Sequence, residues 1–156
     1  MQLSENFTLT ELTRSATADR LNIRNVPDET QIQNLKNLCV KLLQPLRDGY
    51  SKPLSISSGF RCPALNKVAN GSPTSNHLTE RAADIPTDNP MALFAWVCRL
   101  GLSFDQAIIH QDYLHLSYRS ETTNRQMVMM EKRKEERLRK QPLFYSVPCM
   151  VINPVV

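Results

Sequence analysis

The sequence predicts a single α+β domain with a central, mainly antiparallel sheet flanked by helices. Three observations carry this. The chain has 156 residues, enough for one core that buries about 68–70% of the unfolded surface but not for two. Two stretches carry apolar residues at helical spacing. Between and after them lie short segments that alternate apolar and polar residues and are bounded by turn formers.

In chain order, residues 3–14 read as an extended arm leading into a short helical turn, with Thr8 or Thr10 as its cap. From Pro27 the signals are those of a long amphipathic helix ending near residues 47–49: Pro in the first turn, then Asp28 and Glu29 at the positive end of the dipole. Ile32, Leu35, Leu38, Leu42 and Leu46 supply one apolar stripe. Leu54-Ser55-Ile56-Ser57 alternates as a half-buried strand does. Residues 63–69 form a short helix closed by Asn70-Gly71, and residues 71–76 a polar loop. The Ala82-Ala83-Asp84-Ile85 patch is a short strand, and Asn89-Pro90 starts a helix stopped by Gly101. Residues 104–109 and 113–118 are two strands joined at a His110-Gln111-Asp112 turn. Beyond Ser120 the expectation is a charged helix through Lys140 and an apolar tail, 143–156, whose Val147 and Val151–Val156 offer an edge strand. The organisation is thus a main unit over 1–125, with 126–156 packed on the same domain.

Composition excludes several classes. With 41% hydrophobic and 22% charged residues and no apolar run approaching about 20 residues, neither disorder nor a membrane span is expected. The first residues lack the basic start and apolar stretch of a secretory signal, so synthesis as a cytoplasmic product is expected. Cys39, Cys62, Cys98 and Cys149 are widely spaced without a C-x-x-C pair, the pattern of buried thiols. The net charge of +4 hints at nucleic acid, but residues 131–140 hold six basic and three acidic side chains, so +3 of it sits there. That segment reads as a solvated helix. It has no aromatic residue to stack on bases, which places nucleic-acid binding last.

The chemistry concentrates elsewhere. The three histidines, His77, His110 and His115, all fall between residues 77 and 115. Asp84 stands in an otherwise apolar strand, where an unpaired carboxylate is costly to bury. Alternation puts His115 on the face shared with Tyr113 and Ser117, opposite Leu114 and Leu116. Two imidazoles and a carboxylate are a common ligand set for catalytic zinc, with the fourth position left for water. Each residue alone equally describes a hydrogen-bonded histidine or a capped aspartate.

Four ordered motifs add to this reading. Residues 58–66 read SGFRCPALN, residues 71–77 GSPTSNH, residues 82–85 AADI, and Phe104-Asp105-Gln106 precedes Tyr113-Leu114-His115-Leu116-Ser117-Tyr118. Together with residues 3–8 and 43–47, they resemble the zinc D-alanyl-D-alanine carboxypeptidase family, which includes phage-borne peptidoglycan peptidases and has the Hedgehog/DD-peptidase fold. The resemblance covers about residues 3–125. It implies Zn2+ held by His77, Asp84 and His115, with Asp112 as the catalytic acid/base in the turn. It also implies that Arg61 holds the substrate carboxylate or steadies the developing oxyanion, and that Ser75 contacts substrate. A structural salt bridge for Arg61 and a loop-capping serine for Ser75 are the competing readings.

Two positions depart from the family pattern. Glu80 stands where glycine is common, and would either narrow the cleft or point to solvent. His110 stands where an acidic residue is common, and reads as a turn residue or an extra polar contact near the metal. The function implied is a zinc peptidase acting on peptidoglycan stem peptides, as carboxypeptidase or endolysin-like endopeptidase. Its partner is the cell-wall peptide, and neither specific nucleic-acid binding nor membrane insertion is expected. A monomer is expected, acting at the wall after release by a separate pore or on muropeptides inside the cell. The alternative is a zinc-stabilised, non-catalytic cell-wall-binding module on the same fold.

Overall fold

The structure, a computed structural model, describes residues 1–79, 81–132 and 144–146. The N-terminal arm turns into α1 (Leu9–Thr13), where the Thr8 side chain accepts from the Glu11 N–H as the sequence anticipates. A second short helix, α2 (Ala16–Arg20), follows at once. Ser15 caps it by accepting from the Ala18 N–H, and the sequence reading had missed it because five residues carry no periodicity. Buried Gln44 pins the arm: its Oε1 accepts from the Ser4 hydroxyl and the Asn6 N–H, and its Nε2 donates to Asn6 Oδ1.

The expected long helix is three pieces in continuous helical backbone. These are α3 (Glu29–Leu38), a π-helical segment (Cys39–Leu43) and α4 (Gln44–Tyr50). Asp28 and Gln31 close a capping box at its start. Pro45 explains the break: it has no N–H to give, and its ring crowds the carbonyl four residues back. The preceding turn widens so that the Gln44 N–H reaches Cys39 O, five residues back. Leu35, Leu38, Leu42, Leu43 and Leu46 are all fully buried along this rod, each contributing about 1.5–3 kcal/mol of hydrophobic stabilisation.

Downstream come α5 (Pro63–Val68), β1 (Ala82–Pro86), α6 (Pro90–Arg99), β2 (Gln106–Ile109) and β3 (Tyr113–Ser117), with Gly101 at φ +63° ending α6. Then follow β4 (Met127–Glu131) and β5 (Phe144–Ser146). The five-stranded sheet has the order β1-β3-β2-β4-β5. Three of its pairings are antiparallel and β2·β4 is parallel, so the expected mainly antiparallel α+β architecture stands.

Two elements are corrected. Residues 54–57 form no strand; just past them an isolated bridge forms at Ser58↔Asp84, whose two backbone hydrogen bonds, from the Ser57 N–H to the Asp84 carbonyl and from the Asp84 N–H to the Ser58 carbonyl, do not extend into a ladder along β1. Glu131, read as the start of a charged helix, ends strand β4 instead. The apolar Met-Val-Met-Met run ahead of it is drawn alongside β2. Lys132 is not helical either, and residues 133–140 of that expected helix, the tail strand at 147 and 151–156, Cys149 and Glu80 lie outside the described residues.

One face of the sheet meets the helices: Ala83, Ile85, Ala107, Ile109, Leu114, Leu116 and Val128 share a cluster with the α3–α4 leucines and with Leu93 and Val97 of α6. Cys39 is a free thiol in that core, its pKa pushed up to about 12 by burial and then by Glu11, and Cys62 is a half-buried free thiol. No helix among the described residues is long and apolar enough to cross a membrane.

Asp105, fully buried just before β2, locks the far end of the sheet. Arg125 donates to it from Nε and Nη2 at 2.8 Å each, and Arg119 Nε lies 3.1 Å away. Burial by itself would raise the Asp105 pKa, but the hydrogen bonds and charge of Arg125, with Arg119, hold it below the ordinary carboxylate range. The lowered folded-state value means that the stabilisation is complete above the unfolded pKa of about 3.9 and is lost as pH falls towards the folded value. Asp105→Asn should therefore destabilise the fold by roughly 2–4 kcal/mol at neutral pH. In urea titrations the gap from wild type should narrow below about pH 4, and a gap independent of pH would mean that Asp105 is not ionised in the fold.

Candidate metal centre

Alternation along β1 sends Ala83 and Ile85 into the core and Asp84 to the other face. The β1·β3 register sets Asp84 opposite His115, and His115 Nδ1 lies 2.8 Å from Asp84 Oδ1. The third group arrives from a loop. His77, 1% exposed, directs Nε2 to within 3.3 Å of the same Oδ1, and the two imidazoles meet edge to face with centroids 5.0 Å apart.

The loop holds His77 firmly. Asn76, buried beside it, donates from Nδ2 to Gln106 Oε1 (3.0 Å) and Ser117 Oγ (3.1 Å), tying the loop to β2 and β3. Its carbonyl accepts from the Arg81 N–H. Ser75 Oγ accepts from the His77 N–H at 3.2 Å, which is the loop-capping arrangement. His77 Nδ1 sits 2.5 Å from the Gly59 carbonyl.

That carbonyl can only accept, so Nδ1 carries the proton and Nε2 is left with a lone pair. Buried Nε2 has no hydrogen-bond partner and faces a carboxylate oxygen. Two electron-rich atoms in that relation call for a cation between them. The donor set fits: His77, Asp84 and His115 offer ligand atoms that all lie within 4.8 Å of one another, and two nitrogens with one oxygen suit Zn2+. A ring N–H given to a backbone carbonyl is also how metal-binding histidines are commonly oriented. Burial alone would raise the Asp84 pKa, but its two imidazole partners, His77 ahead of His115, outweigh burial and hold it well below the usual carboxylate range. Burial lowers the His115 pKa, Asp84 opposing, which favours the neutral ring that a metal needs.

Around this cluster the other expected residues take distinct places. The Arg61 N–H donates to the His77 carbonyl at 3.1 Å. Its guanidinium Nε is buried without a partner, and burial lowers its pKa against the opposing charges of Asp84 and Tyr113. Among the described residues no carboxylate lies within ion-pairing distance of Arg61. Asp112 is exposed in the β2–β3 turn and its carbonyl accepts from the Thr87 N–H. Tyr113 lies between these groups: burial raises its pKa to about 12, with Asp84 and Asp112 adding to the rise and Arg61 opposing it. His110 is more than a turn residue, since its Nδ1 is 2.9 Å from Glu131 Oε2 and its ring stacks on Tyr113 at 4.0 Å.

Sequence reasoning missed four participants. The Gly59 carbonyl and the Asn76 amide act through hydrogen bonds that no spacing rule announces, although both lie inside quoted motifs. Tyr113 was placed on the site face but given no role, and Glu131 was assigned to a helix.

A sheet backed by helices on one face thus carries on the other an N,N,O cluster that could hold a single metal ion. A family model described as Peptidase M15 matches residues 5–117, and the chain belongs to that family, whose members are zinc peptidases of the D-alanyl-D-alanine carboxypeptidase type. No curated protein matches the chain.

Gly59 gives this centre a local test. A Cβ there would collide with the Leu12 carbonyl oxygen and sit 2.9 Å from Leu12 Cδ1, so Gly59→Ala must displace the carbonyl that orients His77. Zinc affinity, measured by competition with a chromophoric chelator, should fall about 10–100-fold. An unchanged affinity would show that this carbonyl does not orient the ligand.

Proposed function

We propose that the protein is a zinc metallopeptidase that hydrolyses peptide bonds in the stem peptides of peptidoglycan, as a D-Ala-D-Ala carboxypeptidase or an endopeptidase. The observation that carries this reading is the His77 Nε2 lone pair, buried, unpartnered and turned onto a carboxylate oxygen already shared with His115. Membership of a peptidase family supports the reaction class.

His77, Asp84 and His115 would hold the ion. Bound there, zinc would supply a Lewis acid that lowers the pKa of a water and polarises the peptide carbonyl. The remaining work falls to the chain. Asp112, whose carboxylate no side chain among the described residues engages, takes the proton from the attacking water and returns it to the departing amine. Arg61 offers an unsatisfied guanidinium next to Asp84, suited to the substrate's carboxylate or to the developing oxyanion. The Tyr113 hydroxyl, protonated throughout the physiological range, remains a hydrogen-bond donor beside both.

Mass spectrometry of muropeptides incubated with the zinc-loaded protein tests reaction and bond together. Release of terminal D-alanine identifies a carboxypeptidase, cleavage within the stem or cross-bridge an endopeptidase, and no cleavage overturns the reading. Metal analysis should find about one zinc per chain, removed by His77→Ala or His115→Ala with a lower melting temperature. Asp112→Asn should retain zinc and melting temperature while turnover falls by about 10²–10⁴-fold. Loss of zinc in that variant would make Asp112 a ligand, and equal turnover would transfer the base role elsewhere, with His110 the nearest candidate.

A further inference from the structure

Beside the metal centre lies a cavity of about 190 Å³, walled by Arg14 and Ser15 at the α1–α2 junction, by Ser57 and Ser58, and by Phe60 and Arg61. It abuts the site through the backbone: the Ser57 N–H donates to the Asp84 carbonyl and the Asp84 N–H to the Ser58 carbonyl. An outer hollow of about 360 Å³ shares Arg14, Ser15 and Ser57 and reaches Asp19, the one acid among the residues lining the two hollows.

Of the polar side chains lining the inner cavity, Ser57 Oγ donates to the Asp84 carbonyl at 3.3 Å, and Arg14 and Arg61 are the two cations. Among the described residues neither guanidinium has a carboxylate within 4.0 Å. The contact of Arg14 is a long one, 3.5 Å from Nη2 to the Ile56 carbonyl. Arg61 stands between this cavity and the metal centre, with its Nε buried and without a hydrogen-bond partner. The Ser15 hydroxyl accepts from Ala18 and keeps its own proton to give. The Arg14 guanidinium with the Ser15 and Ser58 hydroxyls, lining one small cleft, match a carboxylate in charge and in donor type.

We propose that this cavity is a second carboxylate subsite, distinct from the metal centre, in which Arg14 binds an acidic group of the substrate away from the scissile bond and makes it a determinant of specificity. The proposal rests on the peptidase reading above. A peptide presenting such a group is anchored at two points, one at the metal centre and one at Arg14, so amidating the group removes the second anchor.

The test uses the pentapeptide L-Ala-γ-D-Glu-meso-diaminopimelate-D-Ala-D-Ala and two forms of it, each with one non-terminal carboxylate converted to the carboxamide. Wild type should show a KM about tenfold or more higher for one of the two amides, the effect of one charge-assisted contact. In Arg14→Gln that discrimination should collapse towards unity, and Arg14→Lys, which keeps the charge but not the fork, should fall between. Thermal melting and zinc content confirm that each variant is folded. Discrimination absent in wild type, or intact in Arg14→Gln, overturns the subsite. Calorimetric titration of the same peptides separates the two proposals: amide-sensitive binding without turnover retains the subsite and rejects the peptidase, whereas turnover indifferent to both amides does the reverse.

Discussion

A single carboxylate oxygen organises this molecule. Asp84 Oδ1 is approached by His115 Nδ1 at 2.8 Å and by His77 Nε2 at 3.3 Å, on a strand whose neighbouring residues, Ala83 and Ile85, are fully buried. A charge so placed is tolerated only with partners, and the partners come from opposite sides of the fold. One is fixed by strand pairing, the other by a loop. The loop's own bonds, from Gly59 to His77 and from Asn76 to Gln106 and Ser117, exist to bring an unprotonated nitrogen to that oxygen.

The sheet supplies the rest of the geometry. Because side chains alternate, the residues that bury Ala83, Leu114, Leu116, Ala107 and Ile109 against the helices also turn Asp84, His115 and Tyr113 to the other face. A shift of β1 by one residue against β3 would turn Asp84 into the core and break the ligand set. The helical rod resists such a shift through its leucine stripe, and the Asp105 ion pairs hold the opposite end of β2. Stability and site geometry thus share one constraint, the register of three strands. At the other end of the same face, Glu131 on β4 supports His110, which stacks under Tyr113 and connects the parallel strand to the wall of the cleft.

Much of this was legible from the residues. The leucine spacing of α3, the Asn-Pro start of α6 and the β2–β3 hairpin follow from local periodicity and turn chemistry. The grouping of His77, Asp84 and His115 that the structure shows was anticipated by three histidines, one carboxylate in an apolar strand and a family resemblance over four ordered motifs. The misses share a physical cause: each depends on a distant or backbone partner. The alternation at 54–57 is real, but only one bridge to β1 forms. The Met-rich run of β4 finds its parallel partner some 20 residues away and stands next to a charged segment whose periodicity suggests a helix. The Gly59 carbonyl has no side chain to read, and the π turn before Pro45 keeps the apolar stripe of an unbroken helix.

The central claim is that the buried cluster is a zinc site built from two imidazoles and one carboxylate. The zinc K-edge X-ray absorption spectrum of protein loaded with one equivalent at neutral pH tests it most directly. The structure predicts only nitrogen and oxygen donors, at about 2.0–2.2 Å, with the multiple-scattering signature of two imidazole rings. A sulfur shell near 2.3 Å, or a spectrum indistinguishable from hydrated zinc, would contradict it.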